Sequence, residues 1–274
     1  MNIWRLLDTG MLPASLNMAI DEALLQLHAR GESPPTLRFY QWRPPAVSLG
    51  YFQRKHSIDT SACRRIGLDV VRRLTGGRAV LHRDDLTYSV VAGVREGMPV
   101  LLSSAYGMLS EGLLAGFRLL GFDAELGREN TRSPQDDVCF MRSAIGDIVW
   151  RGKKFVGSAQ TWLGSSLLQH GSIVLEPQEE TWAAILEPGA VSREWLRQKL
   201  GSRTVSLGEI LGRKIEPGEL KAAIAAGMAQ VLGVDLQTGE LRPEEWALAG
   251  EIASTRALSE DIHDQGEKLR ANVV

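Results

Sequence analysis

Residues 72–82 read R-R-L-T-G-G-R-A-V-L-H, and residues 152–160 read G-K-K-F-V-G-S-A-Q. Each places a glycine turn between cationic side chains and a short apolar run, a pattern of strands meeting at turns rather than of a helix. Working outward, strand signals fall at residues 37–42, 46–51, 69–74, 79–82, 86–94, 145–150, 154–158 and 167–175. A helix is predicted before them, over 15–29, where Leu16, Ile20, Ala23, Leu24 and Leu27 recur at helical spacing and Ser15 is a candidate cap. After Pro177 the periodicity turns helical over 181–185, 192–199, 206–211 and 216–232. Helix, then strands, then helices predicts an α+β fold: a mixed, largely antiparallel sheet packed with helices. We divide the chain into a catalytic unit, 1–190, and a helical C-terminal extension, 191–274, packed on the same domain.

Several finer expectations follow. Residues 79–82 and 86–94 read as a hairpin around the polar turn 83–85. In its second strand Thr87, Ser89 and Val91 share one face, with Tyr88, Val90 and Ala92 on the other. A long amphipathic helix covers 103–120 and stops at Gly121. Residues 58–66 form a shorter helix that buries Cys63, and 125–137 form a polar loop carrying Arg128 and Arg132. Asp21 and Glu22 read as a solvated helix face, the usual place for carboxylates.

Bulk composition excludes some classes. The chain has 274 residues, 44% of them hydrophobic and 23% charged, with a net charge of -2. That suits a soluble globular protein with a sizeable core and gives no global basic field for nucleic acid. Two cysteines, Cys63 and Cys139, are too few for a disulfide framework, and no Cys/His cluster suggests a metal. No apolar run reaches the roughly 18 residues that span a bilayer, and the N-terminal residues lack signal-peptide character. The expectation is a cytoplasmic protein with reduced thiols.

The residues that could carry chemistry lie in or near the two quoted stretches. Gly76 and Gly77 let a ligand approach the backbone closely. Arg72, Arg73 and Arg78 flank them and could hold a phosphate, a carboxylate or an acidic partner. The loop matches neither the phosphate-binding nor the dinucleotide fingerprint. Lys153 and Lys154 open a strand and alternate faces. Lys154 is expected to share a face with Val156, and a lysine there could stabilise the oxyanion of acyl transfer. Cys139 ends the arginine-bearing loop, where positive charge would favour the nucleophilic thiolate. His82 and His170 read as pocket walls rather than catalysts. Leu74, Val80, Val90 and Val156 are candidates to face an acyl chain.

The four motifs R-R-L-T-G-G-R-A-V-L-H, C-F, G-K-K-F-V-G-S-A-Q and L-Q-H-G-S, with N-M-A-I-D-E-A near the start, occur in one order. Over roughly residues 1–180 they resemble the lipoate–protein ligase and octanoyltransferase superfamily, which shares its fold with biotin protein ligases. The resemblance is to the cysteine-dependent type. It implies octanoyl transfer from acyl carrier protein to the lysine of a lipoyl-domain protein, with no cofactor or metal. It implies Cys139 as the thioester nucleophile, Lys154 as the pocket lysine, and substrate contacts from Arg72, Arg73, Gly76, Gly77, His82, Gly157, Ser158 and His170. Two other chemistries stay open: ATP-dependent lipoate ligation, and octanoyl amidotransfer between lipoyl domains. A non-catalytic lipoyl-binding protein is the third reading.

Overall fold

The computed structural model describes residues 2–53, 58–127, 146–186 and 192–258. The strands are β1 (Asn2–Leu12), β2 (Thr36–Trp42), β3 (Ala46–Leu49), β4 (Asp69–Arg72), β5 (Val80–His82), β6 (Asp85–Gly93), β7 (Glu125–Leu126), β8 (Ile148–Trp150), β9 (Lys153–Leu163), β10 (Ser166–Val174) and β11 (Val234–Thr238). The helices are α1 (Ala14–Arg30), α2 (Thr60–Arg65), α3 (Leu102–Leu119), α4 (Glu179–Ile185), α5 (Arg193–Arg203), α6 (Leu207–Leu211), α7 (Pro217–Leu232) and α8 (Pro243–Leu258). Eight strands form one sheet in the order β11-β1-β2-β6-β10-β9-β8-β7, and β4-β3-β5 form a second. In the large sheet β11 and β2 run parallel to β1, and the other pairings are antiparallel. The mixed, largely antiparallel α+β architecture is therefore as expected.

Strand alternation sorts the large sheet into two faces. Leu37, Phe39, Tyr88, Val90 and Ala92 point into the core beneath α3 and α7. Those two helices meet backbone to backbone: a Cβ built on Gly227 would stand 2.2 Å from the Gly116 nitrogen. Val91 and Leu168 point the other way, into a cluster with Ile20, Ala23 and Leu24 of α1. The face division read for β6 holds. α8 covers the outside of α1, and its Glu245 is clamped by Arg5 of β1 through two bonds of 2.8 and 2.7 Å.

Four expectations are corrected. Residues 79–82 and 86–94 do not make a hairpin: β5 pairs with β3 in the small sheet, and β6 pairs with β2 and β10 in the large one. The short turn between them carries the chain from one sheet to the other, which local sequence cannot announce. The C-terminal stretch is not wholly helical, because β11 adds a parallel edge strand beside β1. β1 itself shows no alternation strong enough to read. Helix α1 begins one residue earlier than Ser15, and its start has no side-chain cap. Of the polar loop, residues 125–126 pair with β8, while Arg128 and Arg132 lie outside the described residues.

Candidate active site

Four strands of the large sheet present two rows of residues toward α1. Arg38 of β2 lies opposite Ser89 of β6, which lies opposite His170 of β10, which lies opposite Ala159 of β9. One step along, Tyr40, Thr87, Ser172 and Gly157 make the second row. The small sheet adds Ser48 from β3 and Val80 and His82 from β5, and α1 adds Met18. Together these elements wall a cavity with about 410 Å³ of empty space, part of it open to solvent. Gly171, between these rows, leaves room on the opposite face for the Tyr88 ring, which a Cβ there would approach to 2.6 Å.

Two carboxylate–histidine pairs stand in this wall. Asp21 is 1% exposed and receives Arg38 Nη1 at 2.7 Å, Tyr40 Oη at 2.7 Å, Ser89 Oγ at 2.8 Å and His170 Nδ1 at 3.0 Å. The solvated-face reading of Asp21 is thus overturned: α1 is buried nearly all round, and Arg38 supplies the charge that burial requires. Burial pushes the Asp21 carboxyl up, but Arg38, His170 and Tyr40 outweigh it and hold it below its usual range. Burial together with the Asp21 charge raises Tyr40 well above the ordinary phenol range. The second pair is Asp85–His82, with Asp85 Oδ2 2.9 Å from His82 Nδ1. His82 stacks on Trp42 at 3.8 Å between ring centres. Burial lowers the His82 pKa from its ordinary value, against the opposing pull of Asp85.

The glycine turn is held from within. Arg73 donates to the carbonyls of Ser48, Gly76 and Arg78, and Arg72 Nη1 to those of Gly50, Tyr51 and Gln53. Gly50 must be glycine for this packing, because a Cβ would sit 1.9 Å from the Gly77 carbonyl oxygen. Gly77 itself has φ +92°.

Lys154 is corrected in its facing. β8 advances one residue, from Ile148 to Val149, while β9 goes from Val156 to Lys154, so Phe155 is an extra residue in a β-bulge. Phe155 and Val156 both enter the core beneath α3. The bulge reverses parity and turns Lys154 off the Val156 face, where it is 2% exposed with Nζ 2.9 Å from Asp147 Oδ2.

The family described as the lipoyl protein ligase A/B catalytic domain matches residues 13–229. The chain belongs to this family. Octanoyltransferase LipM of Kyrpidia tusciae is 44% identical over 261 residues, covering 92% of this chain and 95% of that protein. Octanoyltransferase LipM of Geobacillus kaustophilus is 40% identical, covering 94% and 97%. Among solved structures, a T. acidophilum protein with bound lipoic acid is 25% identical, with TM-score 0.75 and coverage of 93% and 96%. A lipoate-protein ligase A bound with ATP is also 25% identical, with TM-score 0.74 and coverage of 92% and 94%.

On this family fold, Arg73, Gly77, His82, Gly157, Ser158 and His170 line the cavity. Arg72, Gly76 and Lys154 are not among its lining residues. Of the four apolar candidates only Val80 lines it; Val90 and Val156 lie in the α3 core, and Leu74 packs near α1. Cys139 lies outside the described residues. Cys63 is a buried thiol pushed up to about 11, chiefly by burial, in keeping with a structural role. Sequence reasoning missed Asp21, Asp85, Ser48 and Trp42. The D-E pair inside N-M-A-I-D-E-A was the available signal for Asp21, since it stands between the apolar runs Met18–Ile20 and Ala23–Leu25. Among the described residues no helix is long and apolar enough to cross a membrane.

Proposed function

We propose that this chain is an octanoyltransferase of the cytoplasm, working through a cysteine thioester. The observation that carries the reading is similarity over nearly the whole chain to proteins named octanoyltransferase LipM, at 40–44% identity. The cavity supports it, since Met18, Tyr40, Trp42 and Val80 give an acyl chain apolar surface to lie against.

In the proposed reaction the Cys139 thiolate attacks the thioester of octanoyl-acyl carrier protein. The carrier's thiol leaves, and octanoate becomes a thioester on Cys139. The amine of a lipoyl-domain lysine then attacks that thioester, giving an amide and freeing the cysteine. Lys154 would steady the oxyanion in both steps. Asp147, 2.9 Å away, would fix the ammonium in place. The chemistry is assigned to residues 1–190, with 191–274 as its packed extension.

Intact mass spectrometry after incubation with octanoyl-acyl carrier protein should show an octanoyl adduct on the wild-type protein and none on Cys139→Ala. Full transfer by Cys139→Ala would sink the thioester route. A second reading has its own support, the likeness to a lipoate-protein ligase A bound with ATP. Lipoate-dependent exchange of pyrophosphate into ATP would favour that ligase reading. Octanoyl transfer from one lipoyl domain to another, with acyl carrier protein inert as donor, would favour amidotransfer.

A further inference from the structure

The cavity wall is rich in polar side chains, yet their hydrogens point away from the space they enclose. As a carboxylate, Asp85 only accepts. Its Oδ2 takes His82 Nδ1 at 2.9 Å, Thr87 Oγ1 at 3.1 Å and Ser172 Oγ at 2.7 Å. His82 therefore carries its hydrogen on Nδ1, and Nε2 accepts from Ser48 Oγ at 2.8 Å. Thr87, having given its hydrogen to Asp85, accepts from Trp42 Nε1 at 2.8 Å. Arg73 spends its donors on backbone carbonyls and on Ser48 Oγ.

The same logic runs on the Asp21 side. Tyr40 Oη and His170 Nδ1 both donate to Asp21 Oδ2, and His170 Nε2 then accepts from Thr75 Oγ1 at 2.6 Å. Among the described lining residues Ser158 stands apart, sharing a bond with Tyr88 in which either oxygen can donate. Ser172 and Thr87 keep lone pairs on the wall, since each gives its one hydrogen to Asp85.

We propose that the two buried carboxylates set the ligand class of this cavity by drawing off its side-chain hydrogens, with Asp85 the specificity-determining residue. The wall then offers hydrocarbon and oxygen lone pairs to an acyl tail. A neutral saturated tail binds best. A tail ending in a hydroxyl finds an acceptor for its hydrogen. A tail ending in a bare acceptor, such as a ketone, or in a carboxylate finds no side-chain donor but Ser158 among the described lining residues and binds worst. A plain greasy pocket would give a different order, because a hydroxyl is no cheaper to bury there than a ketone. The inference rests on the acyl reading of the cavity made above.

Calorimetric binding of octanamide, 8-hydroxyoctanamide and 7-oxooctanamide tests it without any transfer reaction. The expected order of affinity is the order just given, with the hydroxyl tail on the order of tenfold tighter than the keto tail. Asp85→Asn brings an amide donor to the wall and should collapse that ratio toward one. Should Asp85→Asn fail to fold, Ser172→Ala serves: loss of its lone pairs should weaken the hydroxyl tail more than the keto tail and so lower their ratio. Equal or reversed binding of the hydroxyl and keto tails to the wild type would overturn the proposal while leaving the acyl cavity intact. An unchanged ratio in a folded Asp85→Asn would overturn it too. Absence of octanamide binding would remove the acyl reading itself, and this inference with it.

Discussion

Asp21 and Asp85 look like copies of one device. Each accepts from a histidine Nδ1, at 3.0 and 2.9 Å, and in each case the far ring nitrogen meets a hydroxyl, at 2.6 and 2.8 Å. They differ in what balances the charge. Asp21 has a guanidinium, Arg38, at 2.7 Å, whereas the hydrogen bonds to Asp85 come from an imidazole and two hydroxyls. Asp21 is thus an anchor that ties α1 to β2, β6 and β10. Asp85 is a collector of neutral donors that shapes a wall. A similar carboxylate–histidine arrangement thus holds a cation in one place and only an imidazole and two hydroxyls in the other, which leaves ligand choice chiefly to Asp85.

The sharpest way to break that contrast is Asp21→Ala. It strands Arg38 without its partner in a dry site, and the expected loss is about 3–5 kcal/mol in urea unfolding. A loss under 1 kcal/mol would mean that the bonds from Arg38 to Thr9 and Asn17 suffice without the carboxylate and that the anchor assignment is wrong. Asp85→Asn removes no cation's partner, so about 1–3 kcal/mol is expected, for donors left imperfectly paired. If its cost matched that of Asp21→Ala, the two sites would be energetically alike.

Acidification sharpens the same comparison. Burial depresses the His82 pKa, so between that lowered value and about 6.5 the unfolded chain binds more protons than the folded one. Stability from this group is complete above that window and is lost as pH falls through it, at no more than about 1.4 kcal/mol per pH unit. His28 shifts in the same direction, again through burial, and adds to the slope. Asp21 is held below its usual value, so its contribution is full above about 3.8 and is lost as pH falls from there through the lowered value, outside this window. Unfolding midpoints at pH 7.5 and 5.5 should fall with acid in the wild type and fall less in His82→Gln. An unaltered slope in that variant would show that His82 is not buried as the neutral form. The smallest effect is expected from Ser89→Ala, roughly 0.5–1 kcal/mol, because Asp21 keeps three other donors when the 2.8 Å bond from Ser89 is lost.

Much of the fold was open to reading because its signals are local. The helical spacing in α1 and α3, the alternation in β6 and the glycine stop after α3 need only neighbours in the chain. The two glycine-turn motifs and L-Q-H-G-S likewise located the cavity, since Gly77, His82, Gly157, Ser158 and His170 all line it. What failed was pairing over distance. Nothing in residues 79–94 says that one strand joins a small sheet and the next a large one. A single bulge at Phe155 reversed the facing of Lys154, because strand parity is a count and one extra residue inverts it.

By itself, then, the order of residues determined most of the central strands and helices and the family resemblance, because propensity, periodicity and motif spacing act within a few residues of each other. The tertiary structure alone decided the polarity of the site. Asp21 is separated from His170 by 149 positions, and Asp85 from Ser172 by 87. Whether a carboxylate faces water or gathers the hydrogens of a buried wall depends on partners that only the folded chain brings within 3 Å.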